Sequence, residues 1–222
     1  MRTARRVIIN ADDFGLTLGI NRGVAEAHER GVLTSTSLMM SAPAAHDAIK
    51  LSRDLPRLGL GLHVVAGNEM SARDWQEELE RQLREFQALV GAAPTHLDSH
   101  HNVHLHDHAL PAFVSAARRL GIPLRGHSPA RLISSFYGRW ADESHPEQLS
   151  AKHLIGLLAQ VGPGWTELVC HPGYVDHELQ SSYAAERELE LETLCDARVR
   201  RAIAEQEIEL ASFAALASEV VP

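Results

Sequence analysis

Between His96 and His108 the chain carries six histidines and two aspartates in thirteen residues, His96-Leu-Asp-Ser-His-His-Asn-Val-His-Leu-His-Asp-His108. Imidazole is the commonest metal ligand and the side chain that titrates nearest neutrality. Such a run makes poor core material, because every buried imidazole needs a polar partner. If the segment turns helical, His100 and His104 share a face. If it stays extended, His96, Asp98 and His100 do. A catalytic centre takes about three protein ligands and keeps a position open for water, so half of this run must do something other than ligate.

Other ionisable groups stand where apolar runs stop. Val7-Ile-Ile-Asn-Ala ends in the adjacent pair Asp12-Asp13. Gly59-Leu-Gly-Leu leads to His63, with two glycines that allow close backbone approach. Ile122-Pro-Leu leads to Arg125 and His127. Leu168-Val-Cys170 ends at His171-Pro-Gly173, a sharp turn that presents His171 in a place suited to a general acid. Adjacent buried carboxylates repel, and a cation relieves the conflict by taking one as a ligand while the other stays free as a base. Neighbouring strand residues point to opposite faces, so the turn expected at Phe14-Gly15 must bend both toward one cleft. Gathered on one rim, these groups amount to a metal site with acid–base partners.

The elements that must position them alternate. Short apolar runs at Val7–Ile9, Val32–Met40, Gly59–Val65, Thr95–Ser99, Ile122–Arg125, Arg131–Phe136, Leu168–Cys170 and Ile208–Ala211 read as strands. Helices are expected at 19–30 with Gly31 as a left-handed cap, and at Ala44–Leu55, Ser71–Val90, Leu110–Leu120, Glu147–Val161 and Tyr183–Glu207. Trp75, Leu79, Leu83, Phe86 and Val90 give the third of these a continuous apolar stripe, with Ser71 and Asp74 at its start as a capping pair. Strand–helix alternation implies parallel βαβ units, and about seven or eight of them favour a closed, barrel-like sheet over an open doubly wound one. Either way the site lies at the C-terminal strand ends.

Length and composition fit one α/β domain over residues 1–222. The 222 residues are 45% apolar and 23% charged. A net charge of −8 argues against nucleic-acid or anionic-membrane partners. No uninterrupted apolar run is long enough to span a membrane. The N-terminal apolar run is too short for a secretory signal, and Cys170 and Cys195 form no disulfide framework, so a cytoplasmic location is expected. The absence of Gly-x-Ser-x-Gly, Walker and Gly-x-Gly-x-x-Gly motifs disfavours serine hydrolases, nucleotidases and dinucleotide enzymes.

Asn10-Ala-Asp-Asp-Phe-Gly15, Gly61-Leu-His63, Thr95-His-Leu-Asp-Ser-His-His-Asn-Val-His104 and Cys170-His-Pro-Gly-Tyr-Val175 resemble the motifs of the YdjC-like carbohydrate deacetylases. That group includes chitooligosaccharide deacetylases and a deacetylase-like protein of hopanoid biosynthesis. The likeness runs along nearly the whole chain, through Tyr183…Arg187-Glu-Leu189.

The resemblance implies a distorted (β/α) barrel, TIM-like with mostly parallel strands, similar to that of the polysaccharide deacetylases. It implies Asp12 as catalytic base, and Asp13, His63 and His100 as ligands of one divalent ion, Zn²⁺ or Mg²⁺. By further analogy Arg125 orients Asp12 and His171 protonates the leaving amine. His101, His104 and Tyr174 are candidates for substrate contact, with Trp75, Tyr137 and Trp140 as further rings that could stack on a sugar. The implied partner is a small carbohydrate, and a homodimer is compatible. Two departures stand out. Asn102 occupies a position where relatives often carry His, and the segment between His63 and Ser71 is short, which suggests an open cleft. Two other classes compete with the deacetylase. One is a dinuclear amidohydrolase or phosphoesterase using the His104/His106 and His106/His108 pairs, and the other is a non-catalytic metal-binding protein.

Overall fold

The computed structural model describes residues 3–67 and 70–220. Asn68 and Glu69, in the short segment after His63, lie outside the described residues.

In chain order the elements begin β1 (Arg5–Phe14), α1 (Leu18–Glu29), β2 (Ser35–Leu38), α2 (Ala45–Asp54), β3 (Gly59–Val64), α3 (Ala72–Val90) and β4 (Leu97–Ser99). A 3₁₀ segment over His100–Leu105 leads to α4 (Leu110–Leu120), followed by β5 (Arg131–Ile133) and a small hairpin of β6 (Arg139–Trp140) and β7 (Glu143–Ser144). After a 3₁₀ turn at Pro146–Leu149 come α5 (Ala151–Ala159), β8 (Gly164–Cys170), α6 (Ala185–Cys195), α7 (Ala197–Glu205), β9 (Ile208–Leu210) and α8 (Phe213–Val220). The strands pair in parallel in the order β4-β3-β2-β1-β8-β5, with β9 beside the first residues of β1. This is the expected α/β architecture, a parallel sheet curled into a half-barrel.

The sheet does not close among the described residues. The segment Ile122–Arg125, expected to be a strand, makes only the single bridge Leu97–Leu124 beside β4. The segment expected as one helix over Tyr183–Glu207 is two, α6 and α7. The break falls at Asp196, which is extended and accepts a hydrogen bond from the Arg198 N–H, so it caps the second helix. α1 ends on a right-handed Arg30 rather than on Gly31. Gly31 is needed for closeness instead, since a Cβ there would sit 2.5 Å from the Ala27 carbonyl and 2.7 Å from that of Leu194. α3 follows its sequence signals, with the Ser71–Asp74 capping box formed and Gly91 left-handed at φ 85°.

β1 is central and buried on both faces. Val7, Ile9 and Ala11 join the main core under the helices. Ile8 belongs to a second apolar cluster with Ala130, Phe213 and Leu216, so α8 packs on the other face. Strand alternation puts Asn10 and Asp12 on the same face as Ile8. From Phe213 a polar stack continues: His96 lies flat on its ring at 3.9 Å, Ser37 Oγ is 3.2 Å from His96 Nε2, and Ser37 donates to Asp98 at 2.6 Å. Gly61 makes room for this stack, since a Cβ there would lie 2.2 Å from the His96 ring.

Candidate metal centre and acid–base site

Asp12 and Asp13 reach one cleft through a bulge inside β1. The β1–β2 register slips between Ala11 and Phe14, and Asp13 is left-handed at φ 67°. A bulge places two residues of one strand opposite one of its partner and re-aims side chains, and Asp is among the few non-glycine residues that tolerate this conformation. The bend therefore lies within the strand, not at the Phe14-Gly15 turn that the sequence suggested.

Asp13 Oδ1 is 3.4 Å from His63 Nε2 and 3.2 Å from His100 Nδ1. Ligands about 2.1 Å from a shared ion at tetrahedral angles lie about 3.4 Å from each other, so the spacing fits a common cation. Asp13 and His63 are buried, whereas His100 is about one-third exposed. The other His63 nitrogen, Nδ1, is 2.8 Å from Asp98 Oδ1, the carboxylate–histidine arrangement that fixes a ligating ring.

A second trio, Asp12, His63 and Asp98, is also close enough to share an ion. Its oxygens are already engaged. Arg125 holds both oxygens of Asp12 at 2.7 Å, reaches Asp98 Oδ2 at 2.8 Å and turns its Nε to Glu167 at 2.7 Å. Asn10 also donates to Asp12. Arg125 itself is fully buried. Asp12 is therefore clamped bidentately beside the trio of Asp13, His63 and His100, in the place of a base.

The electrostatics point the same way. Four carboxylates (Asp12, Asp13, Asp98, Glu167) face two guanidiniums, Arg125 and Arg187. A divalent cation would neutralise the excess. Without it a proton does so: burial opposes charge on His63, but the Asp98 and Asp12 carboxylates outweigh it and push the ring up to about 10. Burial pushes Glu167 up to about 7 against the pull of Arg125. Burial resists ionisation of Asp13, yet His100, His63 and Arg187 hold it well below the usual carboxylate range.

His171 lines a cavity of about 260 Å³ with Asp12, His101, Asn102, Arg125 and Tyr137. Burial pulls its imidazole down to about 4. Its backbone N–H donates to Glu190, whose Oε1 lies 3.9 Å from its Nδ1. Burial lifts Glu190 to about 8, and the Tyr183 hydroxyl donates to that same Oε1. Tyr137 stacks flat on Tyr183 at 4.6 Å and meets His171 edge-on at 5.8 Å.

The remaining sequence candidates lie elsewhere. His104 is wholly buried, with Nδ1 2.6 Å from Ser99 Oγ. Tyr174 turns its hydroxyl to Glu26 on the α1 side, with Arg22 over its ring. Trp75 is in the core, and Trp140 stacks on His145 in the hairpin region. His106 and His108 are exposed with rings 5.6 Å apart, and neither belongs to a group of three potential metal donors among the described residues. His101 and Asn102 are both left-handed, at φ 55° and 54°, directly after His100.

Sequence reasoning missed Asp98 as a partner of His63, and missed Glu167, Arg187 and Glu190 altogether. One signal was available for the last two. Arg187, Glu190, Leu191 and Leu194 recur at spacings of three, one and three along one buried helix face, where charged residues are rarely left unpaired.

Residues 6–205 match the family model described as YdjC-like protein. A carbohydrate deacetylase of Geobacillus stearothermophilus is 35% identical over 94% of this chain and 97% of its own. A crystal structure from Enterococcus faecalis, described as a cellobiose-phosphate cleavage protein, superposes with a TM-score of 0.85 at 26% identity, covering 96% of this chain and 99% of that one. A family 4 acetyl xylan esterase of Clostridium thermocellum, solved with a cobalt ion, shares the fold at a TM-score of 0.59 and 12% identity over 98% of this chain and 93% of that one. With a family model spanning most of its length and a relative of this identity from end to end, the chain belongs to the YdjC-like protein family.

Proposed function

We propose that the protein is a metal-dependent hydrolase that removes the acetyl group from an N-acetylated amino sugar or a short oligosaccharide of the chitooligosaccharide type. The observation that carries this reading is the meeting of Asp13 Oδ1, His63 Nε2 and His100 Nδ1 beside an Arg-clamped Asp12. The curated relatives named carbohydrate deacetylase support deacetylation of a carbohydrate.

Asp13, His63 and His100 would hold the ion, Zn²⁺ or Mg²⁺. A divalent ion bound there supplies Lewis acidity toward an amide carbonyl and makes a nearby water a better nucleophile at neutral pH. Asp12 takes the proton from the attacking water. Arg125 fixes both oxygens of that carboxylate, so proximity does much of the work. His171 faces the same cavity and hands a proton to the departing amine. Its backbone N–H donates to Glu190, whose Oε1 stands 3.9 Å from the ring's Nδ1. His101, Asn102 and Tyr137 line the space left for the sugar.

The test is acetate release from a panel of N-acetylated mono- and disaccharides. Release should stop with chelator and return on adding Zn²⁺ or Mg²⁺. Acetate release that persists through complete metal removal would refute the reading.

A further inference from the structure

Arg187 has no part in the chemistry above, yet it is almost fully buried and reaches the proposed ion site across 174 residues of sequence. It sits in the first turn of α6. Its Nη2 donates to Asp13 Oδ2 at 2.6 Å. Its Nε donates to the Tyr183 carbonyl at 3.0 Å, and its Nη1 lies 3.5 Å from the His171 carbonyl. Its own carbonyl accepts from the Gly173 N–H at 3.2 Å. The guanidinium is therefore held between the Tyr183 carbonyl and the turn that follows β8, with one arm spent on Asp13.

The two oxygens of Asp13 have different neighbours. Oδ1 faces His63 and His100, while Oδ2 faces only Arg187 among the hydrogen-bonding partners described. A free carboxylate near a divalent ion can ligate through one oxygen or both. A charge-assisted bond of 2.6 Å to one oxygen opposes the bidentate mode. Resting on the metal-hydrolase reading above, we propose that Arg187 is a positioning residue. It holds Asp13 to a single ligating oxygen and so keeps a coordination position free for water and substrate. It also ties the ligand Asp13 to the turn that carries His171, so base, ion and acid share one frame.

The test compares wild type and Arg187→Met after loading each with Co²⁺, read by X-ray absorption and visible spectra, metal affinity and steady-state kinetics. Arg187→Met should still take up Co²⁺, gain about one oxygen ligand with a weaker visible band, and lose at least about tenfold in kcat. A ligand set, affinity and kcat all within about threefold of wild type would overturn the proposal. If that variant does not fold by circular dichroism, Arg187→Lys decides. It keeps a cation at Oδ2 without the other bonds, so it should retain the wild-type spectrum with affinity or kcat about tenfold lower, and wild-type values for both would overturn the proposal. A wild-type chain that takes up no Co²⁺ would instead sink the metal reading itself, and this inference with it.

Discussion

Asp12 and Asp13 are neighbours of the same chemical type with opposite surroundings. Asp12 is gripped through both oxygens by Arg125, whereas Asp13 turns one oxygen to two imidazoles. Asp12→Asn should therefore leave metal content unchanged while kcat falls about 10²–10⁴-fold, the usual worth of a general base. Metal analysis beside steady-state kinetics checks both halves. Glu190 lends itself to a pH experiment. Burial lifts it to about 8 and drops His171 to about 4, so together the pair holds one proton at neutral pH. Glu190 gives up its proton as pH rises through about 8, so a basic limb of the rate profile is expected there. Glu190→Gln leaves His171 with only its own weak proton affinity, so the basic limb of kcat should move to lower pH. A limb that stays where it is in the variant would separate Glu190 from the proton supply.

At the scale of elements, the strands carry the ligands and close packing fixes where they point. Gly61 is two residues before His63, and the His96 ring presses on it. Gly61→Ala forces that ring aside, which should cost about 1–3 kcal/mol by overpacking and weaken metal binding through the displaced β3. Ser71→Ala removes a helix cap far from the ion and should cost about 1 kcal/mol with metal affinity intact. Chemical denaturation and metal titration of both variants test this contrast. The same comparison shows what was legible in the sequence. The stripe on α3, its capping box and the polar residues ending β1, β3, β4 and β8 are local patterns, and they placed Asp12, Asp13, His63, His100 and His171 at one end of the sheet. The bulge in β1 depends on its register with β2, and the split between α6 and α7 on which faces find partners. The β6–β7 hairpin is too short to show a period. Arg187 and Glu190 find their partners across the fold, so their spacing on one helix face could mark them as buried and paired but not with what.

Across the whole molecule, the buried network joins stability to charge. Arg125 alone serves Asp12, Asp98 and Glu167 with no exposure to water. Removing one partner from such a cluster leaves a buried charge uncompensated, typically at a cost of about 3–5 kcal/mol. Glu167 and Glu190 are both raised by burial, to about 7 and about 8. A raised carboxyl favours the folded state most below its unfolded value and loses that contribution as pH rises through the folded one. Unfolding free energy should therefore decline from about pH 6.5 to 8, less steeply in Glu190→Gln, as denaturant titrations at several pH values will show; below that range His96, His104 and His171, each pulled down to about 4 by burial, work in the opposite direction. A bound ion would oppose that decline, adding about 2.7 kcal/mol at a hundredfold excess over Kd.

The most direct measurement is metal content per chain, by plasma mass spectrometry, of wild type, His63→Ala and His100→Ala after identical loading with Zn²⁺ and desalting. The account predicts about one ion per wild-type chain and a near-complete loss in both variants. Equal metal in all three proteins would contradict it.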